Sequence, residues 1–119
     1  MKYNILIVDD DPHLLDALKR NFYTKKDEYN AVFSTSADDA LNKCETEPFD
    51  FIISDYKMPG MNGLSMLEII KKKYPSMKRI LLTGQSENEI FDKAMDFAQK
   101  YISKPCSAAD IIKIIENMK

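Results

Sequence analysis

The chain has 119 residues, the size of one domain with a single hydrophobic core. Hydrophobic residues make up 45% and charged residues 30%, ordinary values for a soluble globular protein. With 17 basic and 19 acidic side chains the net charge is -2, so electrostatics give no reason to expect nucleic acid or an anionic membrane as a partner.

The longest apolar runs are four residues, as in Ile5-Leu6-Ile7-Val8, too short to span a bilayer. The N-terminus reads straight into a strand, and no signal peptide is expected. Cys44 and Cys106 form no CxxC pair and His13 is the lone histidine, so a zinc site is disfavoured and two free thiols in a reducing cytoplasm are expected. None of Gly60, Gly63 and Gly84 belongs to a GxGxxG or Walker-type loop, which disfavours a phosphate-cradling nucleotide fold.

In chain order, the patterning predicts strand 3–8, helix 12–25, strand 30–35, helix 37–47, strand 50–54, helix 63–73, strand 79–83, helix 87–98, strand 100–103 and helix 108–118. Helix starts are marked by Asp11-Pro12, an N-cap followed by Pro at the first helical position, and by capping-box spacing at Ser36/Asp39, Ser86/Glu89 and Ser107/Asp110. Tyr74-Pro75 stops the third helix. Strand–helix alternation predicts βαβ units and a parallel sheet with helices on both faces. The first and third strands are almost wholly apolar, as central strands are. The more polar second strand is placed at an edge. In the last helix Ile111, Ile114, Ile115 and Met118 form a core stripe. In the fourth, Ile90, Ala94, Phe97, Ala98 and the following Tyr101 read as the core side. Phe91 and Met95 form a second stripe, which is either a wider buried face or, with Ile112 off the core stripe of the last helix, a partner surface.

The strand ends carry the chemistry. The first strand runs into Asp9-Asp10-Asp11, the third into Asp55, the fourth into Thr83, and the fifth into Lys104-Pro105. In an open parallel sheet these ends share one edge, where ligands bind. Each is ordinary alone: Asp11 reads best as a helix-dipole partner, Asp55 as well as a turn residue, Thr83 as a β-branched strand residue, Lys104-Pro105 as a turn. Together they bring acids, a hydroxyl and an ammonium to one place. Clustered carboxylates repel and raise one another's pKa. An all-oxygen set relieves this by taking a hard divalent cation such as Mg2+ (or Mn2+). A carboxylate beside a cation, an ammonium and a hydroxyl suits formation of an aspartyl phosphate.

These segments, Ile5-Leu6-Ile7-Val8-Asp9-Asp10, Asp55-Tyr56-Lys57-Met58-Pro59-Gly60-Met61-Asn62-Gly63, Leu82-Thr83-Gly84 and Tyr101-Ile102-Ser103-Lys104-Pro105, resemble a response-regulator receiver domain of two-component signalling over essentially the whole chain. The resemblance implies a flavodoxin-like, doubly wound five-stranded parallel sheet of order 2-1-3-4-5 with five helices. It implies Asp55 as phosphoacceptor, Mg2+ held by Asp10, Asp55 and the Lys57 carbonyl with Asp9 acting through water, Lys104 as phosphate partner, and Thr83 with Tyr101 as the switch pair. The partners implied are a sensor histidine kinase or phosphotransfer protein and a downstream target or fused output domain. A homodimer through helix four, strand five and helix five is a further expectation. Residues 1–119 are read as the receiver alone, without an output domain. The chain departs from the family at Phe97, where a small glycine-type residue is usual, so a different end to the fourth helix is expected. Lys57 and Gln85 flank the site and are expected to tune phosphate lifetime. Two rival readings remain. A haloacid-dehalogenase-type phosphohydrolase needs an Asp two residues past the nucleophile, where this chain has Lys57. A phosphorylation-independent interaction module is disfavoured by the intact Asp10, Asp55, Thr83 and Lys104.

Overall fold

Side-chain alternation along the central strands divides the core into two layers. In β1 (Tyr3–Val8), Ile5 and Ile7 pack on one face with Leu15, Leu18, Phe22, Ile111 and Ile115, while Leu6 and Val8 pack on the other with Ala37, Ala40, Leu67 and Ile70. The next strands repeat the division. In β3 (Phe51–Asp55), Phe51 and Ile53 oppose Ile52, and in β4 (Lys78–Thr83), Ile80 and Leu82 oppose Leu81. Burial on both faces is why these strands read as continuous apolar runs. The computed structural model describes residues 2–84 and 91–119, with Phe91 and Asp92 as backbone only. Together with β2 (Tyr29–Ser34) and β5 (Lys100–Ser103), the strands form one parallel sheet of order β2-β1-β3-β4-β5. The expected topology and the edge position of β2 are both found.

The described helices are α1 (Pro12–Tyr23), α2 (Ala37–Thr46), α3 (Gly63–Lys73), α4 (Phe91–Phe97) and α5 (Ala108–Met118). Asp11 caps α1, accepting from the amides of His13 at 3.0 Å and Leu14 at 3.4 Å. Ser107 and Asp110 form a complete capping box on α5. Ser36 caps α2 through the Asp39 amide, but Asp39 does not return the bond. Its carboxylate instead accepts from the Ser34 hydroxyl at 2.6 Å and pairs with Lys43. Ser86/Glu89 lies outside the described residues. Asn62 is a cap the spacing did not reveal: its side chain accepts from the Ser65 amide at 2.8 Å.

Some boundaries move. Helix α1 ends at Tyr23, not residue 25, because the Thr24 hydroxyl and the Lys25 amide fold back onto the carbonyls of Asn21 and Phe22. Strand β2 starts one residue early because Tyr29 is buried against Phe22, with ring centroids 6.3 Å apart. Asp55 belongs to β3 itself. Residues 87–90 of the expected fourth helix lie outside the described residues, and its end falls at Phe97. Of its expected core side, Ala94 and Ala98 are buried and Phe97 packs against that layer, whereas Tyr101 is 41% exposed. β5 is an edge strand, so Tyr101 has only one covered side. Ile112, read as outward, is partly buried against the layer under α1 and α5. Both thiols are free, and burial, with a contribution from Glu47, pushes Cys44 up to about 11.

Candidate phosphoryl-transfer site

The C-terminal edge of the sheet gathers the expected residues. Asp9 follows β1 and is fully buried, and Asp10 beside it is exposed. Asp55 ends β3 at 7% exposure and Thr83 ends β4 at 6%. One carboxylate oxygen from each of Asp9, Asp10 and Asp55 lies within 4.8 Å of the others. Lys104 follows β5, whose register sets Ser103 beside Thr83, and its amide donates to the Thr83 carbonyl at 2.7 Å. Its ammonium reaches Asp9 Oδ2 at 2.9 Å and Asp55 Oδ1 at 3.0 Å.

The three acids differ in burial and in partners. Both oxygens of Asp9 are engaged, Oδ1 by the Asp11 amide at 3.0 Å and Oδ2 by Lys104. Exposed Asp10 faces an open cavity of about 500 Å3 whose wall is the loop bearing Tyr56, Lys57, Met58, Pro59, Gly60 and Asn62. That loop turns at Gly60, whose φ of 78° strains any side-chain-bearing residue. An all-carboxylate set partly open to solvent fits a hard divalent cation that keeps some water ligands. Asp11 serves its helix.

Charge at the site is frustrated. Burial raises the pKa of Asp55, and the carboxylates of Asp9 and Asp10 raise it further, against the opposing hydrogen bond and charge of Lys104. Burial alone pulls Lys104 down, but its hydrogen bonds to Asp9 and Asp55 outweigh this and its pKa is raised. One ammonium against three carboxylates leaves a negative excess that a divalent cation would neutralise.

Two further residues stand out, Gly63 against the backbone of Asp55 and Arg79 buried near the start of β4. An added Cβ at Gly63, the first residue of α3, would lie 2.0 Å from the Asp55 carbonyl oxygen and 2.8 Å from the Ser54 hydroxyl. The absent side chain lets α3 start directly against the Asp55 backbone, and the Gly63 amide donates to the Tyr56 carbonyl at 2.8 Å. The Asn-Gly pair after the loop was the available signal. Arg79 is buried at 6% exposure, and nothing in its sequence neighbourhood marks it. Tyr101 pairs in register with Leu81, one strand over and two residues below Thr83. Gln85 and the side chain of Phe91 lie outside the described residues.

A family model described as "Response regulator receiver domain" matches residues 5–116. The chain is 34% identical to the DNA-binding transcriptional regulator NtrC of Proteus hauseri, over 97% of this chain and 24% of that protein. It is 33% identical to the response regulator protein FleR of Pseudomonas aeruginosa, again over 97% and 24%. A solved CheY-like receiver domain from Methanospirillum hungatei superposes with a TM-score of 0.89 at 33% identity, covering 99% of this chain and 94% of that one. The chain belongs to the response-regulator receiver domain family, the regulatory input module of two-component signalling. It spans about a quarter of the length of the NtrC and FleR proteins.

Proposed function

We propose that Asp55 is the phosphoacceptor, taking a phosphoryl group from the phosphohistidine of a sensor kinase or phosphotransfer protein. The observation that carries this reading is the placement of Asp55: a buried carboxylate at a strand tip, 3.0 Å from Lys104 and within reach of Asp9 and Asp10. A carboxylate oxygen of Asp55 attacks phosphorus. The phosphorus–nitrogen bond breaks, and its electron pair stays on the imidazole of the donor. Lys104 moves its charge onto a phosphoryl oxygen, and the Thr83 hydroxyl donates to another. Asp10, Asp55 and the main-chain carbonyl of Lys57 would hold Mg2+ (or Mn2+), with Asp9 acting through water. When bound, the ion supplies charge neutralisation for the phosphoryl oxygens. Intact-mass measurement after incubation with acetyl phosphate and Mg2+ tests the proposal. One added phosphoryl group is expected, with none in EDTA, and an unchanged mass in both would refute it. Some self-dephosphorylation by water is proposed at the same site. No described helix is long and apolar enough to cross a membrane. The proposed setting is the cytoplasm, where the thiols of Cys44 and Cys106 stay reduced.

Relief of the carboxylate repulsion makes metal binding a stability term. At a Mg2+ concentration a hundredfold above its Kd, the fold is expected to gain about 2.7 kcal/mol, roughly 10 °C in Tm. Asp10→Asn should remove most of that gain, because it deletes the most exposed of the three acids. A thermal melt with and without Mg2+ measures it. Equal gains in both proteins would exclude Asp10 as a ligand.

The output face is proposed on α4, β5 and α5. Among the described residues, Met95 at 43% and Tyr101 at 41% are two of the three large hydrophobics left exposed, and both lie on this side. The proposed occupant is a second phosphorylated copy, with a kinase and a target or fused output domain as the other partners. Sedimentation of the acetyl-phosphate-treated chain is expected to show a dimer that Met95→Glu abolishes without lowering Tm. A dimer indifferent to Met95→Glu, or a monomer throughout, would count against this face. The phosphohydrolase rival is not favoured, since Lys57 occupies the position where its general acid/base would stand.

A further inference from the structure

A helix leaves its last carbonyls without intrahelical partners, and a left-handed glycine just past the end is a common remedy. Helix α4 has no such residue. It ends at Phe97, the chain continues through Ala98 and Gln99 into β5, and no non-glycine residue described has a positive φ. Its carbonyls are met from other elements instead. Lys71 of α3 donates to the Asp96 carbonyl at 2.8 Å. Arg79 of β4 donates from Nε to the Phe97 carbonyl at 2.6 Å.

Arg79 does more than cap. Its Nη1 donates to the Met77 carbonyl at 2.7 Å and reaches that of Pro75 at 3.5 Å. Its backbone amide donates to Gln99 Oε1 at 2.7 Å, and its carbonyl accepts from the Gln99 amide at 2.9 Å. One residue thus joins the turn before β4, the end of α4 and the turn into β5. Arg79, Leu81 and Thr83 alternate onto one face of β4, and Tyr101 lies two residues beyond Gln99. A guanidinium has a fixed fork, so it cannot follow a shifted carbonyl as a flexible ammonium can. Moving the α4–β5 junction would strand a buried cation among carbonyls it no longer reaches, at a high cost. The junction therefore has a discrete held arrangement, and in it Tyr101 points outward.

We infer that Arg79 is a positioning residue for the phosphorylation switch: it locks the end of α4 and the turn into β5 in the arrangement with Tyr101 outward, and so opposes the rearrangement that phosphorylation of Asp55 drives. This rests on the phosphoacceptor reading of Asp55 and on Thr83 and Tyr101 as its switch pair, in which Tyr101 swings inward when Thr83 moves to the phosphate. By linkage, whatever holds the unswitched arrangement also opposes phosphorylation, and releasing it helps both.

The test compares the whole chain with Arg79→Met, which keeps the stem and the main-chain bonds to Gln99 but loses every side-chain donor, and Arg79→Lys, which keeps one charged side-chain donor. Two measurements are made: phosphoryl gain from acetyl phosphate with Mg2+, and hydrogen exchange of the 97–103 amides before and after that treatment. In Arg79→Met, phosphoryl gain is expected to accelerate roughly fivefold or more. Exchange at 97–103 should rise before treatment and change less on phosphorylation, with Arg79→Lys in between. A lower Tm in Arg79→Met, with phosphoryl gain and the phosphorylation-dependent exchange both as in the parent, would show a purely structural cap and overturn the inference. If the parent gains no phosphoryl group, the Asp55 reading itself has failed. The inference is then judged on untreated exchange, and unchanged protection at 97–103 in Arg79→Met would overturn it.

Discussion

Asp55→Asn is expected to abolish phosphoryl gain from acetyl phosphate and Mg2+ while leaving the fold intact. The amide keeps the size and outline of the carboxylate and can still accept from Lys104, which lies 3.0 Å away. It lacks the anionic oxygen that attacks phosphorus. Stability should hold or rise without metal, because Asp55 is a buried acid whose ionised form is disfavoured by burial and by Asp9 and Asp10. The sign follows from the raised pKa. The folded protein keeps the Asp55 proton to higher pH than the unfolded chain does, so ionising this group destabilises the fold above the ordinary carboxylate range. Removing the charge removes that penalty. Intact-mass and melting measurements on the same sample check both halves. A phosphoryl gain surviving the substitution would move the acceptor to Asp9 or Asp10 and overturn the assignment.

Gly63→Ala is expected to be the most damaging single-methyl change near the site. The new Cβ would fall 2.0 Å from the Asp55 carbonyl oxygen and 2.9 Å from its carbonyl carbon, so backbone must move. Overpacking of a filled site costs about 1–3 kcal/mol, and a clash with main chain rather than a flexible side chain belongs at the upper end. The displaced element is the end of β3, so the effect should extend to function. Phosphoryl gain should fall about a hundredfold, the scale expected when a reacting group is misplaced by about 1 Å. Denaturant unfolding and acetyl phosphate kinetics measure the two. A variant with parental stability and rate would show that α3 retreats freely, and that Gly63 does not position Asp55.

Much of the fold was legible in local patterns. Alternating apolar and amphipathic segments announced a parallel sheet with helices on both faces, and the polar character of β2 placed it at an edge. Asp11-Pro12 and Ser107/Asp110 marked helix starts through bonds that span two or three residues, which is why spacing revealed them. Asp39 shows the limit: the right spacing was present, but Ser34 and Lys43 compete for its carboxylate. The stripe that puts Tyr101 inward is a helical one, and α4 ends at Phe97 before β5 begins at Lys100. The period changes from 3.6 to 2 there, and an edge strand leaves one side uncovered.

The sequence by itself determined the layer structure, the strand order implied by the family, and the four strand ends that carry acid, acid, hydroxyl and ammonium. These follow from hydrophobic periodicity and from the rule that parallel strands share an edge. Only the tertiary structure decided how those groups differ in burial and in partners. It buried Asp9 against Lys104, left Asp10 open, set Gly63 beneath the Asp55 backbone, and made Arg79 the cap that Phe97 cannot supply. The Asp9–Lys104 and Arg79–Phe97 contacts are distances of 2.9 and 2.6 Å between segments far apart along the chain. No local pattern encodes such a distance, because it is fixed by how sheet and helices pack.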